Sequence, residues 1–250
     1  LITFLAKNVS GNAKIPQIVN EGILLTPYLK NQPFGILRKI LITMFYPKLN
    51  QILVLSQAQK NDLVINFGIL QSKITVISNW GGRAYLENDN SKNKINFIDY
   101  QYDLIYVGRL VEQKNLDEFI NISQIIMGSN PAFNAVIVGD GPQKERLIKK
   151  TKELGLCKSL TFAGFSFEPK KYYERSRIFL LTSFYEGQPH AMMEAMWMGI
   201  PVVTFNFPGV EEMVINGKTG FVVSDKNEAS KVIQSLLKDE LLRLRIANSA

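Results

Sequence analysis

The sequence predicts an α/β protein built on parallel sheets with helices packed on their faces. Two observations predict it. Apolar runs of four or five residues recur and end in Gly, Asn or Ser, and stretches of helical length separate them. Polar, irregular residues 81–98 divide the series, so the chain reads as two doubly wound units. The expected domains are 1–98, a partial N-terminal unit plus linker, and 99–250, a C-terminal unit.

In the first unit, residues 15–19 (I-P-Q-I-V) read as a buried strand ending at Asn20-Glu21-Gly22. A loop with Pro27 and Pro33 follows. Residues 34–46 form a helix carrying Arg38 and Lys39 among Ile36, Leu37, Ile40, Leu41, Met44 and Phe45. Such a helix packs on a sheet with a basic outer edge, or lies on a membrane surface. Residues 51–55 are a strand, 57–67 a helix stopped by Gly68, and 74–77 a strand ending at Ser78-Asn79.

In the second unit, residues 104–107 are a strand ending in Gly108-Arg109-Leu110. A helix over 115–127 follows, with Leu116, Phe119, Ile120, Ile122 or Ser123, and Ile126 along one side. Residues 135–138 form the next strand, ending in Gly139-Asp140-Gly141-Pro142. An amphipathic helix over 143–154 is stopped by Gly155. Residues 160–163 are a short strand ending at Gly164-Phe165, and 169–177 a short helix. A strand over 178–181 then leads through a turn at Gly187 and Pro189 into a helix over 188–198, which Gly199 and Pro201 end. Val202 and Val203 begin another buried strand, 209–212 turn into a short helix, and 217–223 read as a tight turn into an edge strand. A helical pattern covers 236–250, apolar at Leu237, Leu241, Leu244 and Ile246 or Ala247.

With 250 residues, 46% hydrophobic and 20% charged, the composition is that of a globular protein large enough for two domains. Both ends fall inside structured patterns, so the sequence reads as a fragment. One cysteine excludes an internal disulfide framework and fits a reducing compartment; Cys157 reads as an inert packed residue. No apolar run approaches the ~18 residues that span a bilayer, and a cytoplasmic protein is expected. The net charge of +7 is uneven: residues 1–98 hold 11 Lys/Arg against 4 Asp/Glu, and the remainder is balanced. That excess is either a solvated basic surface or a surface for an anionic membrane face or acceptor. No recognition module for nucleic acid accompanies it.

Loops after parallel strands gather at one sheet edge, where doubly wound folds bind ligands. Arg109 and Lys114 would sit there, a guanidinium fork and a point charge suited to a diphosphate. The helix start near 188–191 offers free amides and a positive dipole end to a phosphate. Glu186 and Glu194 bracket it and suit sugar hydroxyls, and His190 can donate to a phosphate or sugar oxygen. The combination points to a sugar nucleotide. G-D-G-P-Q-K at 139–144 lacks the third glycine of a dinucleotide fingerprint. One Cys and one His make no zinc site.

Residues 104–223 resemble the donor-binding half of retaining glycosyltransferases of family 4, which have the GT-B fold. The resemblance rests on G-R-L-V-E-Q-K-N from Gly108, V-G-D-G-P from Val138 and T-F-A-G-F from Thr161. It rests also on E-G-Q-P-H-A-M-M-E-A-M-W-M-G-I-P-V-V from Glu186 and G-K-T-G-F-V-V from Gly217. Residues 51–79 resemble the end of that family's N-terminal domain. The implied architecture is two Rossmann-like parallel-sheet domains facing a cleft, the N-terminal one incomplete.

The resemblance implies a role for each matched position. Arg109 and Lys114, beside Gly108, hold the donor diphosphate, and the segment Gly187, Gln188, Pro189, His190 and Ala191 completes the phosphate and sugar contacts. Glu186 meets the transferred sugar near its anomeric centre, Glu194 the ribose, and the backbone around Phe165 the base. The expected activity is transfer from a nucleotide sugar, a UDP-sugar favoured, to a glycan or lipid-linked acceptor in cell-surface polysaccharide or glycolipid synthesis. No metal or other cofactor is expected. Two departures stand out: where the family often carries a His at a strand end, this chain offers Glu21, and the family's first strands and glycine-rich loop are missing. A noncatalytic nucleotide-sugar-binding module is the alternative of a different class. A sugar-nucleotide epimerase of the same fold is a third reading, less suited to the E-x7-E segment.

Overall fold

The computed structural model describes residues 16–78 and 100–250. The linker expected at 81–98 and the domain boundary lie outside the described residues. By their contacts the residues form two compact units, Leu1–Asn79 with Tyr185–Gln188, and Trp80–Phe184 with Pro189–Ala250.

The first unit carries a parallel sheet in the order β1-β2-β3, from Ile18–Glu21, Gln51–Val54 and Ile74–Val76. Its helices are α1 (Leu25–Lys30), α2 (Gly35–Phe45) and α3 (Gln57–Phe67). Strand β1 begins later than the apolar pattern suggests, because Pro16 has no amide to pair and Gln17 N–H donates to the Asn50 side chain at 2.8 Å. Helix α1 replaces the expected loop. Pro27 falls in its first turn, where backbone amides lack partners anyway, and Leu25 and Leu29 are buried. Helix α3 matches the expectation residue for residue. Ser56 and Gln59 make a reciprocal capping box at its start, and Gly68 closes it in the left-handed conformation (φ 66°). Leu25, Leu29, Ile52, Val54, Leu63 and Phe67 are among the residues of the small core.

The second unit is a six-stranded, all-parallel sheet in the order β6-β5-β4-β7-β8-β9. The strands are β4 (Tyr102–Val107), β5 (Ala135–Val138), β6 (Leu160–Gly164), β7 (Ser176–Leu181), β8 (Val202–Phe205) and β9 (Phe221–Val223). Strand β5, A-V-I-V, is buried on both faces, which explains its unbroken apolar run. Helices α4 (Leu116–Ser129), α5 (Lys144–Glu153), α6 (Lys170–Tyr173) and α7 (His190–Trp197) connect strands, and α8 (Lys226–Lys238) and α9 (Glu240–Ser249) close the unit. On α4 both Ile122 and Ser123 face the core with Phe119, Ile120 and Ile126. Winding proceeds outward from β4 in both directions, and it reverses between β4 and β7.

Further expectations are corrected. Helix α6 is one turn, and β7 starts at Ser176, two residues before the apolar run. Helix α7 begins at His190, because Pro189 takes an extended conformation at the cap position. The pattern over 236–250 is two helices: Asp239 leaves the helical conformation and its carboxylate accepts from Leu242 N–H at 2.9 Å. Leu241 and Leu244 therefore face solvent, while Leu236 and Ile246 are buried. Cys157 is exposed, because the turn after α5 buries Leu156 and points its neighbour outward.

Among the described residues no helix is long and apolar enough to cross a membrane.

Candidate active site

The reversal point between β4 and β7 is where a doubly wound sheet opens a crevice at the carboxyl ends of its strands. Fully buried Leu104, Ile105 and Tyr106 fix the end of β4. Beyond Gly108 the chain is stitched to its neighbours: Gly108 N–H donates to Val138 O at 2.9 Å, and Leu110 N–H to Asp140 O at 2.9 Å. Gly139 packs so closely that a Cβ there would lie 1.8 Å from Gly108 O. A 3-10 turn, Glu112–Lys114, leads to Asn115, which adopts the left-handed conformation (φ 50°) and starts α4. Thr182, fully buried at the end of β7, donates from Oγ1 to Lys114 O at 3.0 Å. Phe184 N–H donates to Gln113 O at 3.0 Å. The loops after β4 and β7 are thus tied together.

Arg109 is exposed on this edge. Its carbonyl accepts from the Tyr106 hydroxyl at 3.0 Å, and the guanidinium has no ion-pair partner among the described residues. Lys114 is half-buried. Helix α7 starts without a side-chain cap, at exposed His190 and half-buried Ala191. Its Glu194 is held from below: the hydroxyl of fully buried Tyr173 lies 3.1 Å from Glu194 Oε2 and 2.9 Å from Ala191 O. One phenolic proton serves both acceptors. Phe165 follows Gly164 and is 64% exposed; its ring meets that of Phe167 edge to face, with centroids 4.7 Å apart.

Of the expected site residues, the second unit therefore holds Gly108, Arg109, Lys114, Phe165, Pro189, His190, Ala191 and Glu194, all on loops or a helix start after parallel strands. Glu186, Gly187 and Gln188 belong to the first unit. Glu186 is buried there, 6% exposed. At Gly187 a Cβ would lie 2.3 Å from Gly22 O and 2.6 Å from Gln59 Nε2. Gln59 is itself buried; its Oε1 accepts from Leu55 and Ser56 N–H, and its Nε2 has no partner. One residue before Gly22, the Tyr46 hydroxyl donates to the Glu21 carboxylate. Burial raises the pKa of Glu21, the hydrogen bond opposing it, and burial with the Glu21 charge raises that of Tyr46.

A cavity of about 380 Å³ opens beside the β4 and β7 loops, lined in part by Glu112, Asp117, Gln143, Arg146 and Phe184. None of the expected donor residues lines it. Arg146 forks onto Asp117 at 2.9 and 2.5 Å, and Lys150 joins at 2.8 Å. Hydrogen bonding from Arg146 above all holds the Asp117 carboxyl down at about 2.

Sequence reasoning missed Thr182, Tyr173 and Phe167. Tyr173 carries no local signal, since its partner lies 21 positions away. Phe167 was legible as the second aromatic of F-S-F. In chemical terms the second unit presents a guanidinium, a lysine and an uncapped helix start to an anion. It offers hydroxyls a carboxylate oriented by a phenol, and a flat ring an exposed aromatic pair. Among the described residues no group of three or more His, Cys, Asp or Glu is placed to hold a metal ion.

Comparisons with known proteins bear on the family and the fold. The family described as glycosyl transferases group 1 matches residues 87–250. An N-acetylgalactosamine-N,N'-diacetylbacillosaminyl-diphospho-undecaprenol 4-alpha-N-acetylgalactosaminyltransferase of Campylobacter jejuni is 30% identical, across 98% of this chain and 67% of the relative. A poly(ribitol-phosphate) alpha-N-acetylglucosaminyltransferase of Staphylococcus aureus is 27% identical, across 78% of this chain and 38% of its own length. Among solved structures, Anabaena HepE in complex with UDP-glucose superposes with a TM-score of 0.83 at 22% identity, across 98% of this chain and 68% of that one. TarM superposes at 0.79 with 22% identity, across 93% and 45%. The structural likenesses show the fold, GT-B. The chain spans about two thirds of the Campylobacter relative and less than half of the staphylococcal one.

Proposed function

This chain belongs to the glycosyl transferases group 1 family, and from that premise we propose that it is the donor-binding part of a retaining glycosyltransferase. The donor is a nucleotide sugar, with UDP favoured because HepE was solved with UDP-glucose. The acceptor is a glycan or a lipid-linked carrier, as in the names of the Campylobacter and Staphylococcus relatives. The product belongs to cell-surface polysaccharide or glycolipid synthesis, on the cytoplasmic side of the membrane.

Breaking the bond between the anomeric carbon and phosphate places charge on the departing diphosphate. Arg109, Lys114 and the dipole of α7 meet that charge as it develops. No metal is part of this proposal, since two cations and a helix start supply the counter-charge. Glu194, oriented by Tyr173, takes the ribose hydroxyls, and the base lies against the loop at Phe165. The acceptor hydroxyl attacks the anomeric carbon from the face the diphosphate leaves, with retention, and its proton passes to the departing phosphate oxygen.

The observation that carries this reading is the bond from Thr182 to Lys114. It ties the loop with both cations to the strand that enters the Glu186–Glu194 segment. Thermal-shift screening of nucleotide sugars, followed by donor hydrolysis and transfer assays, tests it. Lys114→Ala or Arg109→Ala should cost ~2–4 kcal/mol of barrier. Tight binding of a nucleotide sugar with neither hydrolysis nor transfer would establish a noncatalytic binding module instead.

A further inference from the structure

The starts of α4 and α5 border the cavity of about 380 Å³ that none of the expected donor residues lines. Its volume is that of a small-molecule site, for which about 300–1,000 Å³ is usual. Leu116 and Leu147, both buried, give it an apolar floor. Phe184 lines it from the loop after β7 with a ring 55% exposed. Glu112, Asn115 and Gln143 supply polar lining.

That polar lining has hydrogen-bonding capacity the fold does not use. Gln143 Oε1 accepts from Arg146 Nε at 2.5 Å, which fixes the amide's orientation. Its Nε2 donates to no described residue. The Asn115 side chain makes no cap bond to α4, and the exposed Glu112 carboxylate accepts no hydrogen bond among the described residues. Two amides and a carboxylate, donors and acceptors together, thus surround one exposed ring. A pyranose matches that set. Its C–H face lies against the negative face of an aromatic ring, and each hydroxyl both donates and accepts.

Charge separates a neutral ligand from an anion. Glu112 and Asp117 stand against Arg146 and Lys150, so the surroundings carry no net charge. Both cations already bond to Asp117. A phosphate would meet the Glu112 carboxylate without a free cation to offset it, unlike at the edge that presents Arg109 and Lys114. The same loop serves both places, since the turn that carries Lys114 also gives Val111, Glu112 and Asn115 to the cavity.

We propose that this cavity is a subsite for a neutral pyranose of the acceptor glycan, a sugar that is held but not transferred. The acceptor role rests on the transferase reading; the sugar site itself does not. Methyl β-glucopyranoside, methyl β-galactopyranoside and their 2-acetamido counterparts are titrated into the full chain with UDP present, followed by saturation-transfer NMR. One or more should bind in the millimolar range. Phe184→Ala and Glu112→Ala should weaken that sugar at least about fivefold, and Phe184→Tyr should keep it. Both replaced side chains are exposed, so melting and UDP affinity should match wild type. Lys114→Ala should do the reverse, weakening UDP and sparing the pyranoside. In transfer assays Phe184→Ala should raise acceptor KM and leave donor KM unchanged. Binding by none of these sugars, unchanged affinity in Phe184→Ala, or the opposite KM split overturns the proposal. Competition by methyl phosphate overturns it too, since the cavity would then take an anion. A pyranoside lost in Phe184→Ala while no nucleotide sugar binds would uphold the sugar site and sink the transferase reading.

Discussion

Thr182 Oγ1 donates a 3.0 Å hydrogen bond to the carbonyl oxygen of Lys114. The two residues lie 68 positions apart, Lys114 in the 3-10 turn that follows β4 and Thr182 directly after the adjacent strand β7. The carbonyl belongs to a 3-10 turn whose next residue is left-handed. A turn of that kind holds its shape only when its backbone groups have partners. Thr182 supplies one and Phe184 N–H, bonded to Gln113 O, supplies another. The lysine's position thus depends on a fully buried threonine.

Thr182→Val keeps the shape and removes the bond to half-buried Lys114. The expected cost is about 0.5–1.5 kcal/mol in stability, with donor KM raised more than that of the acceptor. Thr182→Ser restores the hydroxyl and should recover donor KM. Denaturant unfolding and steady-state kinetics check both. An unchanged donor KM in Thr182→Val would separate the turn from donor binding.

Tyr173 supports Glu194 in the same indirect way. Tyr173→Phe keeps the buried ring and loses only the hydroxyl, so the expected stability loss is about 1 kcal/mol. Affinity for UDP should fall together with discrimination between UDP and its 2′-deoxy analogue, if Glu194 holds the ribose. Calorimetric titration of both nucleotides measures this. Tyr173→Ala, by contrast, opens a cavity and should cost about 3–5 kcal/mol.

Much of this was legible because the second unit's signals are local. Four consecutive apolar residues at β5, a Gly directly after β4 and β5 and at the end of β6, and Pro189 before α7 each announce their structure within a few positions. What was not legible depended on partners distant in sequence or on a competing local signal. Pro27 reads as a loop marker, yet it sits where a helix tolerates it, and α1 was missed. The leucines at 237, 241 and 244 look like one helical face, but the Asp239 cap rotates the second half, and Arg243 turns inward to bond Leu236 O. Phe34 and α2 read as apolar helix, and only the exposure of each side chain tells which face is unpartnered. Glu186 stood next to Glu194 in the argument from sequence, whereas by contacts it belongs with the first unit.

The Asp117–Arg146 fork gives acid a definite target. The folded carboxyl titrates at about 2 against an ordinary 3.8. Its contribution is present above the unfolded value and is lost as pH falls through about 2. The side chain is 33% exposed, so screening reduces the effect to roughly 1 kcal/mol. Melting temperature measured from pH 5 downward should therefore fall more steeply for wild type than for Asp117→Asn. Parallel curves would show that the pair contributes nothing to acid stability.

Glu21 has the opposite sign. Burial raises its pKa above the ordinary 4.5, so the fold favours the protonated acid. Stability is fully present below the unfolded value and declines as pH rises through the folded one, where the buried group must ionise. The Tyr46 hydrogen bond offsets part of that cost, because a phenol donates better to a carboxylate than to a neutral acid. Glu21→Gln keeps an acceptor for Tyr46 and abolishes the titration. Its melting temperature should equal or exceed that of wild type at neutral pH, and the difference should vanish below pH 4.5. Tyr46→Phe should do the reverse: without its donor the carboxylate is stranded, and the decline with rising pH should steepen. Tyr46 itself has a raised pKa, with burial the largest cause and the Glu21 charge next, so its contribution persists below the unfolded value near 10 and is lost only in stronger alkali. Melting curves of the three proteins across pH 4 to 9 decide the matter, and a Tyr46→Phe profile parallel to wild type would mean the pair is not coupled in solution.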